Sequence, residues 1–188
     1  TTMSIEDEII AMMPTPILLE GEVGSGKSSL LIKLAEKLGL RYFAMVMSDG
    51  STVSDFKGYK NVVDGTYVAP EFRDCFENGG MYVLEELNAT TSNMPIIFNS
   101  IENNYFVFAD KLVKAHPDFR LCATMNTITN AKDFGGRRPL DKSVKNRFHT
   151  IIVNTDFKSR FTPDLVWYQK ELQKLLKRQG SSQTIGSR

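Results

Sequence analysis

The sequence is poor in the residues that build disulfide frameworks and zinc sites. It has two cysteines, Cys75 and Cys122, and two histidines, His116 and His149. The cysteines are too few and too far apart for a disulfide framework, and neither histidine has a companion at metal-ligand spacing. We therefore expect both cysteines to be small buried hydrophobic side chains of a protein in the reducing cytoplasm.

The sequence also lacks an excess of either charge. Its 23 Lys and Arg residues nearly balance its 22 Asp and Glu residues, which leaves a net charge of +1. This balance argues against a strongly basic surface for DNA, although it is compatible with a local basic patch. The longest apolar runs have the length of β-strands, and no basic and apolar leader opens the chain. We therefore expect no membrane span and no secretory signal.

What the chain does contain is enough apolar sequence for one good core. It has 188 residues, of which 41% are hydrophobic. Strand-like runs without clean alternation, typical of strands buried on both faces, lie at 17–19, 41–47, 81–84, 119–124 and 150–153. Strands that alternate with helical segments predict a parallel, doubly wound α/β sheet. Ligands of such sheets bind at the carboxyl ends of the strands.

A phosphate-binding motif, G-x-x-x-x-G-K-[ST], follows the first of these strands. Its glycines let the backbone amides turn toward a bound polyphosphate at the positive end of the next helix, which runs from Lys27 to a C′ residue at Gly39. Lys27 is expected to reach the β and γ phosphates, and the Ser28 hydroxyl is expected to bind Mg²⁺. The predicted nucleotide-binding residues are Gly21, Glu22, Val23, Gly24, Ser25, Gly26, Lys27, Ser28 and Ser29.

Two carboxylates, Glu85 and Glu86, end the strand at 81–84. We expect Glu85 to hold Mg²⁺ through a water molecule and Glu86 to orient and deprotonate an attacking water. This pair resembles a Walker B element, in which the first acid is normally Asp. The longer Glu85 side chain is expected to fix a metal-bound water less tightly.

Two further side chains belong to the predicted site. Asn126 ends the strand at 119–124, where its amide can contact both the γ phosphate and the attacking water. Arg147 follows a short helix and precedes the last strand. An arginine in that place can stabilise transition-state charge on the nucleotide of a neighbouring subunit.

Local signals also predict two hairpins and two further helices. An Asp64-Gly65 pair lies between apolar residues at 62–68, and a weaker hairpin signal covers 105–113. Helix spacing covers 93–103, with Ser92 as the N-cap, and a second helix begins at Thr162 and ends near Gly180.

These motifs together resemble those of AAA+ ATPases, and within that superfamily the MoxR-like, dynein-related AAA group, which includes bacteriophage-encoded members. The matching segments are residues 21–28 (Walker A), 84–88 (Walker B), 123–127 (sensor 1), 136–141 and 146–148 (the arginine-finger region). Their order and spacing agree along nearly the whole chain.

The resemblance implies a P-loop NTPase fold, a three-layer α/β/α sandwich whose five-stranded parallel sheet has the strand order 5-1-4-3-2. It implies that the two hairpins are inserts, the helix-2 insert and the pre-sensor-1 hairpin, which face a central channel or a partner. Tyr59 and Tyr67 of the first insert would then grip a substrate, or else serve as cross-strand packing.

The resemblance further implies a core at 1–158, followed at 159–188 by a linker and the first helix of a truncated lid. Arg188 would contact the γ phosphate from that lid, and the chain would be a fragment with weakened nucleotide binding and ring formation. The implied cofactors are ATP or GTP and Mg²⁺. The implied partners are further copies of the chain, in a hexameric ring when full length, and a protein substrate or von Willebrand A-type partner.

Two other functions stay open at this point. One is a small-molecule P-loop kinase or a GTPase, with base-binding residues around 4–13. The other is a nucleotide-dependent switch or DNA-handling module, in phage replication or packaging, that acts in an infected bacterial cell. The Glu85-Glu86 pair and Asn126 argue against a kinase, and the net charge gives no support to DNA binding.

Overall fold

A computed structural model of the chain describes residues 3–90, 95–128 and 139–154. The helices are α1 (Ile5–Met12), α2 (Lys27–Lys37), α3 (Ser54–Lys57), α4 (Glu71–Asn78), α5 (Pro95–Glu102) and α6 (Lys142–Lys145), with a short 3-10 helix at Leu87–Ala89. The strands are β1 (Ile17–Gly21), β2 (Tyr42–Val46), β3 (Tyr59–Lys60), β4 (Tyr67–Val68), β5 (Gly80–Glu85), β6 (Tyr105–Val107), β7 (Leu112–Lys114), β8 (Phe119–Asn126) and β9 (His149–Val153).

Five parallel strands form the central sheet, in the order β2-β5-β8-β1-β9. Counted along the chain among these five alone, and read from the β9 edge, the order is 5-1-4-3-2, which confirms the predicted topology. β8 therefore lies between β1 and β5. This order brings the carboxyl ends of all three strands to the same edge of the sheet.

Alternate side chains of the central strands pack on opposite faces of the sheet, which makes the fold three-layered. Leu18 of β1 faces an aromatic-rich core that includes Phe72 and Phe76 of α4. Its neighbours Ile17 and Leu19 face an aliphatic core beneath α2. This alternation has the period of two expected of a strand.

The edge strands depart from the predicted burial on both faces. Val46 of β2 is 59% exposed and Ile152 of β9 is 71% exposed, whereas every residue of β5 from Gly80 to Leu84 is buried. An edge strand has a sheet neighbour on one side only, and helices cover it less completely. The prediction is therefore right for the three central strands and wrong for the two edges.

Both predicted hairpins are present as small antiparallel sheets, β3-β4 and β6-β7. The first has a longer connection than the Asp-Gly signal predicts. Val62 and Val63, expected in its first strand, lie in the turn and are almost fully exposed. Side-chain acceptors form this turn, since Asn61 Oδ1 accepts from the Val63 amide and Asp64 Oδ1 accepts from the Thr66 amide.

Arg73 of α4 joins the two hairpins. Its guanidinium donates to Asp110 in the β6-β7 turn at 2.6 Å and to Glu77 at 2.8 Å. It also lies over the rings of Tyr67 and Phe108, at 5.3 and 4.7 Å from their centroids. The Arg73 hydrogen bond holds the pKa of Asp110 below its usual range. Packing thus accounts for Tyr67, while Tyr59 is 55% exposed.

The cysteines are buried, as predicted. Burial raises the pKa of Cys122 to about 12, so this thiol stays protonated and unreactive. In the parts of the chain that the structure describes, no helix is long and apolar enough to span a bilayer. Several predictions lie outside the described residues: Ser92, residues 136–138 of the arginine-finger region, Arg188, the helix from Thr162 and the lid.

Candidate functional site

The phosphate-binding loop connects β1 to α2, as the motif predicts. Gly24 and Gly26 have φ values of 77° and 89°, a left-handed conformation that glycine adopts without steric cost. Gly26 is the N-cap of α2, and no side chain caps this helix. The first-turn amides of α2 are therefore available to an anion at the positive end of the helix dipole.

The glycines of the loop differ in what a methyl group would meet, which gives a stability prediction. A Cβ at Gly21 would lie 2.3 Å from the Val153 carbonyl oxygen, whereas a Cβ at Gly26 has nothing within 4 Å. We expect Gly21→Ala to lower the free energy of unfolding by about 3 kcal/mol through overpacking against backbone. Gly26→Ala should cost about 1 kcal/mol, from its left-handed backbone alone.

Urea unfolding followed by circular dichroism measures both variants against the wild type. Equal losses of unfolding free energy for the two variants would contradict the close approach of β9 to the loop.

Lys27 is buried at the base of the loop. Its Nζ donates to the carbonyl oxygens of Gly21 at 2.9 Å and Glu22 at 2.8 Å. It also donates to Ser25 Oγ at 3.3 Å and to Asn126 Oδ1 at 3.2 Å. The ammonium therefore lies between the loop and the end of β8, where charged phosphate oxygens would be stronger acceptors than these neutral groups.

The acid pair lies at the end of β5. Glu85 is the last residue of the strand, and Glu86 has φ 55° and ψ 49°. A left-handed conformation is uncommon for a residue with a side chain, and such strain clusters at functional sites. Glu86 is the N-cap of the 3-10 helix at Leu87–Ala89, and this turn follows directly after the two carboxylates.

Asn126 ends β8 between the loop and the acid pair. β8 pairs with β1 through Gly21 and Asn126, and with β5 through Leu84 and Ala123. Thr124 and Asn126 are two residues apart, so they lie on the same face of the sheet, the α2 face. The register of β5 and β8 therefore places Thr124 level with Glu85, and the Asn126 side chain lies within 3.2 Å of the Lys27 ammonium.

These elements enclose one cleft of about 300 Å³. It is lined by Val23, Gly24, Gly26, Lys27, Ser28, Ser29, Glu85, Glu86, Thr124 and Asn126. The remaining predicted loop residues, Gly21, Glu22 and Ser25, contact the Lys27 ammonium behind the lining. The cleft thus brings together the predicted phosphate, metal and water-positioning residues of Walker A, Walker B and sensor 1.

The donor groups of the cleft fit Mg²⁺ better than a transition metal. Ser28 supplies a hydroxyl and Glu85 a carboxylate, and such hard oxygen ligands, completed by water and phosphate, are those of Mg²⁺ sites. Within the described residues, no group of three or more His, Cys, Asp or Glu side chains is placed to hold a metal.

Arg147 does not line the cleft. Its Nε lies 3.3 Å from Glu102 Oε1, and its Nη2 donates to Asn99 Oδ1, both on α5. The next residue, Phe148, is buried and packs edge-on against Phe98 of the same helix. The structure thus positions Arg147 on the α5 side of the molecule, apart from the chain's own phosphate-binding loop.

Two polar residues near the cleft have no role in the sequence prediction. Thr124 lines the cleft, and its spacing of two residues from Asn126 was a signal for a shared face. Asn88 is 3% exposed and donates from Nδ2 to the Asn126 carbonyl oxygen at 3.2 Å. The sequence indicates Asn88 only weakly, as a polar residue directly after the apolar Leu87.

Comparison with known families agrees with this architecture. The family model described as "AAA domain (dynein-related subfamily)" matches residues 16–148, which is more than half of the chain. The match begins before β1 and ends at Phe148. It therefore includes every element that contributes to the cleft.

Similar sequences include two midasins. The chain is 31% identical to midasin of Dictyostelium discoideum over 152 residues and 28% identical to midasin of Giardia intestinalis over 145 residues. These alignments cover 76% and 74% of this chain, but only 2% and 3% of the two midasins. The chain therefore corresponds to a small part of those proteins.

Among solved structures, a protein from Cytophaga hutchinsonii described as a candidate ATPase has a similar fold. The TM-score is 0.61 at 19% sequence identity, and the match covers 95% of this chain and 50% of that one. At this identity the similarity supports the fold alone.

Proposed function

The chain belongs to the dynein-related subfamily of AAA domains, and from that premise we propose that it binds and hydrolyses ATP with Mg²⁺. The observation that supports this proposal best is the shared cleft, in which Lys27, Glu86 and Asn126 meet. A phosphate-binding loop alone is compatible with a passive binder. A carboxylate and an amide across from that loop add the groups that hydrolysis needs.

The loop residues would hold the triphosphate. The amides of the uncapped α2 N-terminus face the phosphates, and Lys27 exchanges its carbonyl acceptors for phosphate oxygens. Ser28 and Glu85 would hold Mg²⁺, Glu85 through a water molecule. When bound, this ion neutralises charge that develops on the phosphate oxygens.

The residues across the cleft would act on water. Glu86 would accept a proton from the attacking water, and its left-handed backbone fixes where the carboxylate is presented. Asn126 would orient that water and contact the γ phosphate, since its side chain already reaches Lys27 at 3.2 Å. Positioning of this kind supplies most of the catalysis in phosphoryl transfer.

We also propose that the active form is a ring of several copies, a hexamer when the protein is full length. This proposal rests on Arg147, which lies apart from the chain's own cleft and is held by two α5 side chains. An arginine presented in this way can complete the cleft of a neighbouring copy. The contact of Arg188 with the γ phosphate, and the division into a core at 1–158 and a linker with the first helix of a lid at 159–188, stay predictions.

The work of the ring would be remodelling of a protein partner, such as a von Willebrand A-type domain. The exposed Tyr59, Val62 and Val63 of the first hairpin offer apolar surface to such a partner. A DNA-handling role has no comparable support, because the net charge is only +1. The choice between ATP and GTP stays open, while a cytoplasmic location and a phage association stay predictions.

Dependence on self-association gives a direct test of the proposal. If Arg147 acts in a neighbouring copy, phosphate release per molecule should rise with protein concentration, because dilution separates the copies. Arg147→Ala and Glu86→Gln should each be nearly inactive alone, and a mixture of the two should recover activity. In mixed rings, an intact cleft can then meet an intact arginine.

A malachite-green assay with Mg²⁺ and ATP, and with EDTA as the blank, measures this recovery. Arg120→Ala is the matched control, since Arg120 donates to the nearby carbonyl oxygens of Pro117 and Phe119 and does not line the cleft. A mixture no more active than its components would contradict action in trans. Absence of Mg²⁺-dependent phosphate release from the wild type at any concentration would contradict the ATPase itself.

A further inference from the structure

Asn88 links two parts of the cleft that are far apart in sequence. It lies in the 3-10 helix that follows Glu86, and its Nδ2 donates across to the Asn126 carbonyl oxygen at 3.2 Å. Asn126 in turn accepts from Lys27 at 3.2 Å through its side chain. One chain of hydrogen bonds therefore runs from the Walker B turn through the end of β8 to the phosphate-binding loop.

The burial of Asn88 argues against a purely structural role. Its side chain is 3% exposed, and among the described residues its Oδ1 has no hydrogen-bond partner. A buried carbonyl oxygen without a partner costs free energy, and an apolar side chain of similar size avoids that cost. A half-satisfied buried amide is therefore a poor stabiliser, and a role at the neighbouring cleft would explain why this one is present.

The backbone around Asn88 shows what its hydrogen bond can control. Glu86 has a left-handed conformation, and the turn after it is closed by the Ala89 amide, which donates to the Glu86 carbonyl oxygen at 2.9 Å. Leu87 anchors the turn in the aromatic-rich core. Asn88 connects this turn to β8, so it constrains the separation between Glu86 and Asn126.

We propose that Asn88 is a positioning residue, which keeps Asn126 at the separation from Glu86 that lets both side chains contact one water molecule. This inference rests on the ATPase function proposed above. In-line attack depends on the water being placed by two groups at once, and a displacement of about 1 Å is enough to slow such a step about 10²-fold. Asn88 does not line the cleft, so it would act through Asn126.

The test compares Asn88→Leu and Asn88→Asp with the wild type in steady-state ATP hydrolysis. Leu removes both polar atoms, and Asp keeps an acceptor but loses the donor to Asn126 when ionised. We expect each variant to lower kcat at least tenfold and to change KM for ATP less than threefold. Asn78→Leu is the matched control, since the exposed Asn78 also donates a hydrogen bond from Nδ2, to Asp74 Oδ1 at 2.8 Å.

A double-mutant cycle separates positioning from stability. In an Asn126→Ala background, Asn88→Leu should have almost no further effect on kcat, because the group that it positions is gone. Loss by the same factor in both backgrounds would overturn the inference, as would kcat within twofold of wild type for both Asn88 variants. A wild type without Mg²⁺-dependent hydrolysis would instead overturn the proposed ATPase, and this inference with it.

Discussion

Replacement of Glu86 by glutamine is expected to reduce kcat for phosphate release about 10²- to 10⁴-fold, the usual contribution of a general base. Glutamine has nearly the same size and shape as glutamate but cannot accept the proton of the attacking water at neutral pH. ATP binding should persist or tighten, because the change removes a negative charge from a cleft that receives a triphosphate. The malachite-green assay measures the first effect, and titration with a fluorescent ATP analogue measures the second.

Glu71→Gln is the matched control for this experiment. Glu71 is an exposed carboxylate in the first turn of α4 and does not line the cleft. Its replacement should leave both phosphate release and ATP affinity within twofold of wild type. Equal phosphate release from Glu86→Gln and wild type would remove Glu86 from the mechanism. A parallel loss of ATP binding would instead indicate a disturbed cleft.

The parts of the fold that the sequence predicts best are those set by local chemistry. The helix after the loop begins at Lys27 and ends as predicted, with Gly39 at φ 67°. The Leu40 amide donates to the Ala35 carbonyl oxygen and the Gly39 amide to that of Glu36, the two hydrogen bonds of a Schellman motif. A glycine after an apolar helical stripe is sufficient to place this boundary.

The features that the sequence does not predict depend on contacts between distant segments. The Asp64-Gly65 pair predicts a turn but not its length. The length depends on the position of Tyr67, whose ring packs beneath the Arg73 guanidinium and whose hydroxyl donates to the Lys57 carbonyl oxygen. The burial of Asn88 depends on β5 and β8 being neighbours. Propensities of adjacent residues carry no information on such pairings.

The predicted site residues also divide into those that the strand order brings to the cleft and one that it does not. Glu85 and Asn126 each end a strand and Lys27 follows one, so a parallel sheet brings them to one cleft once the strand order is known. Arg147 also adjoins a strand, but it precedes β9 and so lies toward the opposite end of that strand. The topology alone thus explains why it is absent from the cleft of its own chain.

Replacement of Lys27 by methionine is expected to weaken ATP binding about 100-fold. Methionine keeps most of the buried aliphatic volume of this 8%-exposed side chain but removes its charge. Hydrogen bonds to charged groups contribute about 1.5–3 kcal/mol each, and the ammonium is placed to make more than one to the phosphates. Hydrolysis at subsaturating ATP should fall by at least the same factor.

The loss should come from the phosphate contacts and not from a disordered loop. The Gly21 and Glu22 carbonyl oxygens lose a donor in the variant, so urea unfolding should show a destabilisation of about 1–3 kcal/mol with the transition still cooperative. Lys37→Met is the matched control, because Lys37 lies in the last turn of the same helix and its side chain is 57% exposed. Its ammonium forms a long ion pair with Glu6, at 3.5 Å. Fluorescent-analogue titration should give this control an affinity within twofold of wild type, since an exposed ion pair of this kind contributes little. ATP affinity of Lys27→Met within threefold of wild type, with the fold intact, would mean that the α2 amides alone hold the triphosphate.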